Sequence, residues 1–425
     1  MATLEKQKEL GREVAAYFTR NPGIEFVGFA GVGRHGGALI LAQKNSEGQL
    51  QRKLVIKYSL GGLTGDPDSN ADEDLRNEFY WLQRLRGAEH IVRLVPFADC
   101  SLKIPGMSDG EKTQKDSDAK GKQRDDALKN QVKGGGDGGD KSKTKGVTWR
   151  ARKCPTFALE YLPNGQLSDT IEKLKVDKRL IPNRILWRIW LCLVRQCVAM
   201  AFPPCLPVTG EEDDERTIRE QLINDQQYCT LTQNSPHLEN WLWGSGPTSG
   251  APDEDHDPGI PLVKMIDFGR GKLEDLKDYV DDELDDLQEC GSRTNLWHAA
   301  IVMAELCLPL DNIADLRPSH EFEYQYKKEG EAHTVMTFAP GPLRFAEEMD
   351  LRLRDILVRC MAGLPGHIPP LREVLAEAER AVATIGPNDN PDLAALMNVR
   401  EDDRYLRSWV QRYIYDAFWA DDASR

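Results

Sequence analysis

Short runs of apolar and β-branched residues dominate the first 160 positions of the chain, and turn residues separate them. Runs of this length and composition predict strands. Residues 5–20, in contrast, have the pattern of a short helix, and residues 71–87 predict a second helix with Leu75, Phe79 and Leu82 at three- and four-residue spacing. The predicted strands span residues 25–43 (with a glycine turn inside), 52–60, 90–100 and 154–162.

From residue 163 the apolar positions follow the longer period of helices. Residues 166–202 are predicted to be mostly helical, and the chain from Arg293 onward is predicted to be helical, ending in a helix over residues 403–418. One apolar strand, residues 261–269, interrupts this part. A strand-rich part with one main helix, followed by a mostly helical part, predicts an α+β fold with two lobes.

Three polar segments separate these elements. Residues 101–147, 204–228 and 245–260 contain too few apolar side chains to offset the entropy of ordering them, and we predict that they are disordered inserts. The predicted domains are a helical extension over residues 1–23, a strand-rich lobe over 24–162, a helical lobe over 163–380 and a helical tail over 381–425.

Composition narrows the set of partners. The chain has 425 residues, of which 40% are hydrophobic, so it can bury a large core. Its formal net charge of −14 argues against nucleic acid or an anionic membrane as a partner.

Nine cysteines without a CxxC pair are typical of reduced thiols, and no signal peptide is visible, so we expect an intracellular protein, cytoplasmic or nuclear. The most apolar run, residues 184–202, contains Arg188 and Arg195 and predicts a buried helix, not a membrane span.

The first candidate for chemistry is a group of glycines. Gly31, Gly33 and Gly36 match the pattern GxGxxG, which also occurs in ordinary hairpin turns. A dinucleotide-binding site requires a helix after the glycines, and here a strand follows. Lys57 ends the strand segment LVIK, from which it can reach a phosphate, and Glu78 lies on the next helix, where it can hold the lysine by an ion pair. Each charge alone is typical of a solvated surface, but their order after the glycines favours a phosphate site.

A carboxylate after a buried strand completes this pattern. In KMIDFG, Asp267 follows an apolar run and precedes Phe268 and Gly269, where a carboxylate can bind a magnesium ion that bridges phosphates. Taken in order, the glycines, the lysine, the glutamate and DFG resemble the eukaryotic protein-kinase family over roughly residues 24–380. The resemblance implies a protein kinase-like fold of two lobes and a site for ATP and Mg²⁺.

The resemblance also implies a role for each matching residue. Leu159 is expected to be the gatekeeper beside the nucleotide, and the segment Glu160–Leu162 is expected to offer backbone hydrogen bonds to adenine. Lys57 is expected to contact the α- and β-phosphates with Glu78 as its partner. The implied ligand-binding residues are Gly31, Gly33, Gly36, Lys57, Leu159, Glu160 and Leu162 for ATP, and Asn240 and Asp267 for Mg²⁺.

The catalytic loop departs from the family pattern. The family motif places its catalytic aspartate five residues before the asparagine, and counting back from Asn240 in TLTQNSPHLENWLWG reaches Ser235. A serine hydroxyl is not ionised near neutral pH and cannot act as the general base, whose loss typically costs about 10²- to 10⁴-fold in rate. His237 and Glu239 lie nearby in the sequence, but both are displaced from the expected position.

Further departures agree with this one. Asn234 replaces the arginine that receives a phosphorylated activation loop in the family, and no APE motif precedes RTNLW. Ile368 stands where the family has the arginine that pairs with the APE glutamate, so both partners of that pair are absent. Asn295 replaces an aspartate that bonds the catalytic loop, although an asparagine oxygen can still accept one such hydrogen bond.

Three functions are compatible with these residues. The first, which we expect, is a pseudokinase that binds ATP and Mg²⁺ and acts on an unknown protein partner as a scaffold or regulator. The second is an active atypical kinase that transfers the γ-phosphate to serine or threonine of a protein substrate. The third is a small-molecule kinase of the same broad fold, which DFG disfavours. The residue at position 235 distinguishes the first from the second.

Overall fold

The chain folds into a mixed α+β structure in which a strand-rich part precedes a mainly helical part. The computed structural model describes residues 2–33, 36–61, 70–104, 154–206, 216–224, 226–244, 259–275, 289–308, 320–328, 330–347, 349–386 and 400–416. Nearly all of the predicted inserts over residues 101–147 and 245–260 lie outside these ranges.

A five-stranded antiparallel sheet forms the first part, with its strands in the order β1-β2-β3-β5-β4. The predicted strand over residues 90–100 is short because its two ends bond different partners. His90 and Val92 exchange backbone hydrogen bonds with Met265 of the second part, and only the following residues join the sheet. The strands are β1 (Ile24–Val32), β2 (Gly36–Lys44), β3 (Leu50–Ser59), β4 (Leu94–Val95) and β5 (Thr156–Glu160).

Helix α1 (Ala2–Phe18) covers one face of this sheet. Its apolar residues recur at three- and four-residue spacing and meet alternate residues of β2 and β3, because a helix presents one face at that period and a strand presents one face at every second residue. The N-terminal helix is therefore packed into a core of its own. That core contains Leu10, Val14, Ala15, Phe18, Leu39, Leu41, Leu54, Ile56 and Tyr58.

Two glycines allow the close packing of Tyr58 in this core. A Cβ atom at Gly11 of α1 would lie 2.6 Å from the Tyr58 hydroxyl, and a Cβ atom at Gly37 of β2 would lie 2.3 Å from the Tyr58 ring. Tyr58 itself is fully buried. Any larger residue at either glycine would have to displace the tyrosine.

Helix α2 (Ala71–Arg84) packs on the side of the sheet opposite to α1. Leu75, Phe79 and Leu82 are buried there, which confirms the spacing predicted for this helix, and the Phe79 ring lies 5.6 Å from that of Phe157 on β5. Alternate residues of β5 thus enter different cores: Phe157 faces the larger core, and Ala158 faces the core of α1.

The second part is built around one buried helix. Every residue of this helix, α4 (Asn183–Ala201), is buried, as the apolar run over residues 184–202 predicted. It packs against α5 (Cys290–Cys307) and α7 (Leu371–Thr384). The helices of this part are α3 (Leu167–Asp177), α4 (Asn183–Ala201), α5 (Cys290–Cys307), α6 (Leu351–Cys360), α7 (Leu371–Thr384) and α8 (Asp403–Val410).

Two short strand pairs shape the loops between α4 and α5. Strands β6 (Leu231–Thr232) and β9 (Lys272–Leu273) form one antiparallel pair. Strands β7 (Trp241–Trp243) and β8 (Val263–Met265) form the other, with Trp241 opposite Met265. These pairs bring the segments around residues 233–240 and 266–271 side by side.

One prediction for the second part is wrong: residues after α5 are not all helical. Strands β10 (Phe322–Lys328) and β11 (Glu331–Thr337) form an antiparallel hairpin. Its inner residues alternate with exposed ones, so that Tyr324 and Val335 face each other and are buried. This two-residue period, with glycine at the turn, is the pattern of a hairpin with one buried face.

The end of the second predicted insert is ordered, contrary to the prediction. Ile218 donates its backbone N–H to the Gly87 oxygen, and Glu220 is buried against His90. A single buried carboxylate with a charged partner anchors this otherwise polar segment, and composition alone does not reveal such an anchor.

The C-terminal segment returns to the start of α4. Glu401 accepts hydrogen bonds from the backbone nitrogens of Asn183 and Arg184 at 2.7 and 3.2 Å, and so caps a helix whose preceding residue is proline. The predicted helix over residues 403–418 is present as α8 and a π-helical turn, Gln411–Tyr415. None of the helices in the described part of the chain combines the length and apolar character needed to cross a bilayer.

Candidate functional site

Lys57 and Glu78 form a largely buried ion pair between the sheet and α2. The lysine Nζ lies 2.6 Å from the glutamate Oε1, and the side chains are 17% and 3% exposed. Strand β3 directs Lys57 to the face that α2 covers, and the helix spacing directs Glu78 back toward it. The contact predicted between these two residues is therefore present.

Asp267 is the third charged group of this site. Burial alone lowers the pKa of Lys57, but the charges of Glu78 and Asp267 outweigh burial and raise it. Burial raises the pKa of Glu78 above its usual value. The charge of Lys57 lowers this pKa, and the charge of Asp267 raises it. One lysine thus faces two carboxylates. The excess negative charge, presented on oxygen atoms, fits a hard divalent cation such as Mg²⁺.

The backbone of Asp267 has an uncommon conformation. Its φ angle is +64°, in the left-handed region that few residues other than glycine, asparagine and aspartate adopt. The Gly269 backbone N–H donates to the Asp267 Oδ1 at 3.2 Å. This turn thus holds one carboxylate oxygen against the backbone of Gly269.

Asn240 reaches the same place from the other strand of a pair. It immediately precedes β7, and Asp267 lies two residues after β8, so the antiparallel register brings them to one end of the pair. The Ile266 backbone N–H donates to the Asn240 backbone oxygen at 2.9 Å. The sequence-predicted metal ligands are thus neighbours in the fold.

Ser235 lies beside Asn240 without a carboxylate partner. The Asn240 Nδ2 donates to the Ser235 backbone oxygen at 2.8 Å and to the Ser235 Oγ at 3.0 Å. Within the part of the chain that the structure describes, no carboxylate is hydrogen-bonded to Ser235. His237 and Glu239 are both exposed. Among the residues that the structure describes, the hydroxyl therefore has no general base bonded to it.

Gln233 links the two loops, a role that the sequence did not predict. Its side chain donates from Nε2 to the Asp267 backbone oxygen at 2.8 Å and accepts at Oε1 from the Ser235 backbone N–H at 2.8 Å. The Asn295 Oδ1 in turn accepts from the Gln233 backbone N–H at 3.3 Å, which confirms the hydrogen bond expected of this asparagine. A buried glutamine between two loops carries no sequence signal beyond its position.

The glycine segment forms the turn between β1 and β2. The Gly33 N–H donates to the Gly36 oxygen at 2.8 Å, and the two residues between them lie outside the described ranges. A Cβ atom at Gly36 would lie 3.0 Å from the Tyr58 oxygen, so packing explains this glycine. Around a Cβ atom at Gly31 there is open space, so packing does not explain that one.

The segment expected to bind adenine begins at the last residue of β5. Leu159 is buried and lies opposite Val55 of β3. The Glu160 backbone N–H already donates to the Arg93 oxygen at 3.0 Å, and the Glu160 carboxylate pairs with Lys264 Nζ at 2.7 Å. The Glu160 N–H is thus engaged within the protein, whereas the predicted hydrogen bonds to adenine would involve the Glu160 oxygen and the backbone up to Leu162. The lysine partner was not predicted.

Arg293 replaces the ion pair that the sequence lacks. Its guanidinium lies 3.0 Å from the Glu289 carboxylate and donates from Nη1 to the backbone oxygens of Pro365, Gly366 and Ile368. Arg293 is buried, and the Glu289 carboxylate compensates its charge. The apolar Ile368 side chain is buried at the same place.

A second cluster of ionisable groups is structural. Glu89, His90 and Glu220 lie close enough to share a metal ion. However, the Glu220 carboxylate already accepts from the His90 backbone N–H at 2.8 Å and contacts His90 Nδ1 at 2.7 Å. Burial lowers the pKa of His90, but Glu220 raises it to about 10. Both oxygens of the Glu220 carboxylate are thus bonded to His90, so this cluster is a buried ion pair.

Comparison with protein-family models and with curated proteins identified no relative. No protein-family model matches the chain, and no curated protein matches it. A functional assignment therefore depends on the geometry of the chain itself.

Proposed function

We propose that this chain is a protein kinase-like, two-lobed protein that binds ATP with Mg²⁺ in the cleft between its strand-rich and helical parts. One observation carries the proposal. Lys57, Glu78 and Asp267, which are far apart in the sequence, converge: the lysine lies 2.6 Å from the glutamate, and the charge of Asp267 acts on both of them. This arrangement fits a phosphate held by the lysine and a magnesium ion held by the aspartate.

The remaining residues of the proposed site also fit a nucleotide with a bound cation. The Asn240 amide nitrogen is turned toward Ser235, so its oxygen points elsewhere and is suited to a cation. Gly31 has open space around it, where phosphates can approach the backbone. Leu159 and the backbone from the Glu160 oxygen to Leu162 would border the adenine.

We infer that phosphoryl transfer is impaired. The only hydrogen-bond partner of the Ser235 hydroxyl among the described residues is an amide, and an amide cannot accept a proton from a substrate. The absence of a general base reduces the rate by about 10²- to 10⁴-fold. A protein that binds nucleotide but transfers phosphate poorly is suited to act as a scaffold or regulator of a protein partner.

Nucleotide binding is tested by thermal unfolding with and without Mg-ATP. A ligand at about 100 times its Kd adds about 2.7 kcal/mol to the free energy of unfolding. We expect this gain in the wild type and its loss in Asp267→Asn, which removes the charge while tolerating the left-handed backbone. Lys57→Met should also lose it. Lys44→Met, which breaks an exposed lysine–glutamate pair, is the matched control. A wild type indifferent to Mg-ATP would refute the proposal.

Catalysis is tested separately by transfer of labelled γ-phosphate to the chain itself and to a mixed protein substrate. Asp267→Asn is the blank. We expect no signal from the wild type and a signal from Ser235→Asp, which restores a carboxylate next to Asn240. A wild-type signal above the blank would show that Ser235 is not disabling and would favour an active atypical kinase.

A further inference from the structure

The loop over residues 268–271 is held by helix α2. The Asn77 Nδ2 donates to the Gly271 oxygen at 2.7 Å and to the Gly269 oxygen at 2.9 Å. The Trp81 Nε1 donates to the same Gly271 oxygen at 3.0 Å. Asn77 and Trp81 are four residues apart on the helix and so present their donors on one face.

The contact is also tightly packed. Trp81 is 5% exposed, and Gly271 is buried. A Cβ atom at Gly271 would lie 2.9 Å from the Trp81 Cδ1 and 3.0 Å from the Phe268 oxygen. Only glycine allows the loop to approach the indole this closely, so packing and hydrogen bonding agree on one position for the loop.

Helix α2 therefore contacts both halves of the site. Glu78 holds Lys57, and the adjacent Asn77 holds the loop that begins at Asp267. The position of one helix thereby sets the separation between the lysine and the carboxylate. Neither Asn77 nor Trp81 belongs to the motifs that predicted the site.

We propose that Asn77 and Trp81 are positioning residues that hold Asp267 in its metal-binding orientation. This inference rests on the proposed nucleotide function. Neither side chain touches the ligand. They act by fixing the backbone immediately after Asp267, whose left-handed turn would otherwise be free to relax to a more favourable φ. Loss of either donor should weaken the metal-dependent part of nucleotide binding and spare the metal-independent part.

The first test measures the Kd of the full chain for ATP with Mg²⁺ and with EDTA. The variants are Asn77→Ala, Trp81→Phe, which keeps an aromatic ring but replaces the indole and so removes its N–H donor, and Gly271→Ala. Arg76→Ala, an exposed position on the same helix, is the control. We expect each of the three variants to reduce the Mg²⁺-dependent gain in affinity about five- to tenfold, with the affinity in EDTA unchanged. The control should match the wild type.

The second test needs no nucleotide. Hydrogen–deuterium exchange of the backbone over residues 266–271 is compared in the same variants without ligand. We expect faster exchange in Asn77→Ala and Trp81→Phe, and wild-type exchange in Arg76→Ala. A fold-wide loss of structure would accelerate exchange in α4 as well, so α4 serves as the internal reference.

The outcomes separate the two proposals. Faster exchange at residues 266–271 together with a reduced Mg²⁺ effect supports the positioning role. Unchanged exchange in Asn77→Ala overturns it, whatever the nucleotide affinity. An equal loss of affinity with Mg²⁺ and with EDTA also overturns it, because the defect would then not concern the metal. A wild type that binds no ATP under either condition overturns the proposed function, and the positioning role with it.

Discussion

Replacing Glu220 with alanine is expected to destabilise the protein strongly, because the carboxylate is the partner of a fully buried histidine. It accepts a hydrogen bond from the His90 backbone N–H at 2.8 Å and contacts the imidazole Nδ1 at 2.7 Å, and neither side chain is more than 1% exposed. Alanine would leave a buried imidazolium without its negative partner. It would also release the segment around Ile218 from the loop that follows α2.

The magnitude follows from burial. Removing one partner of a buried ion pair costs about 3–5 kcal/mol, whereas an exposed pair contributes about 0–1 kcal/mol. The pH dependence has a definite sign. The pKa of His90 is raised from 6.5 to about 10, so the stabilisation is complete below pH 6.5 and is lost as the pH rises toward 10. The wild type should therefore become less stable over this interval.

Urea unfolding at several pH values is the assay. The matched control is Glu25→Ala, because Glu25 forms a pair of nearly the same length, 2.6 Å, with Lys44 but is 57% exposed. We expect Glu220→Ala to lose about 3–5 kcal/mol at pH 6.5 and Glu25→Ala less than about 1 kcal/mol. Equal losses in the two variants, or a wild type whose stability does not fall between pH 6.5 and 10, would refute the assignment of the buried pair.

Three further changes have expected outcomes in the same unfolding assay. Tyr58→Phe should be neutral or stabilise by about 1 kcal/mol, because the buried hydroxyl has no hydrogen-bond partner among the described residues; a clear loss would reveal one. Burial, with the charge of Glu239, raises the pKa of Glu305 to about 7, so wild-type stability should fall as the pH rises from 4.5 to 7. Glu305→Gln should flatten that fall and, after allowance for solvent screening, stabilise by about 1 kcal/mol at pH 8; an unchanged slope would contradict it. Glu401→Ala should cost about 1–2 kcal/mol, because it removes the cap of α4; a loss below about 0.5 kcal/mol would show that water replaces the cap.

Much of the fold was predictable because local pattern and tertiary packing agree. Residues 71–87 have helical spacing and include α2, which ends at Arg84, and the strand predicted over residues 52–60 is β3, whose alternate residues enter a core. The hairpin β10–β11 was missed because it lies in a region dominated by helices. Its signal is a two-residue alternation of only seven residues per strand, which a long helical context obscures.

The candidate site was predictable to a smaller extent. Lys57, Glu78 and Asp267 were identified because their order after the glycines matches a family pattern, although each charge alone is typical of a solvated surface. Gln233 and Asn77 were not, because uncharged amides occur throughout a sequence without any periodic signature. Their importance comes from backbone carbonyls and amides that lie within hydrogen-bond distance only in the folded chain.

The sequence by itself determined which residues can form strands and helices, which side chains carry charge, and that position 235 has no carboxylate. These properties are local and belong to single residues or short periods. The tertiary structure alone decided that α1 covers the sheet, that Glu220 meets His90 and that Glu401 caps α4. The Glu220 and Glu401 contacts join residues 130 and 218 positions apart. The stability of all these contacts depends on exclusion of water from both partners, which exists only after the chain has folded.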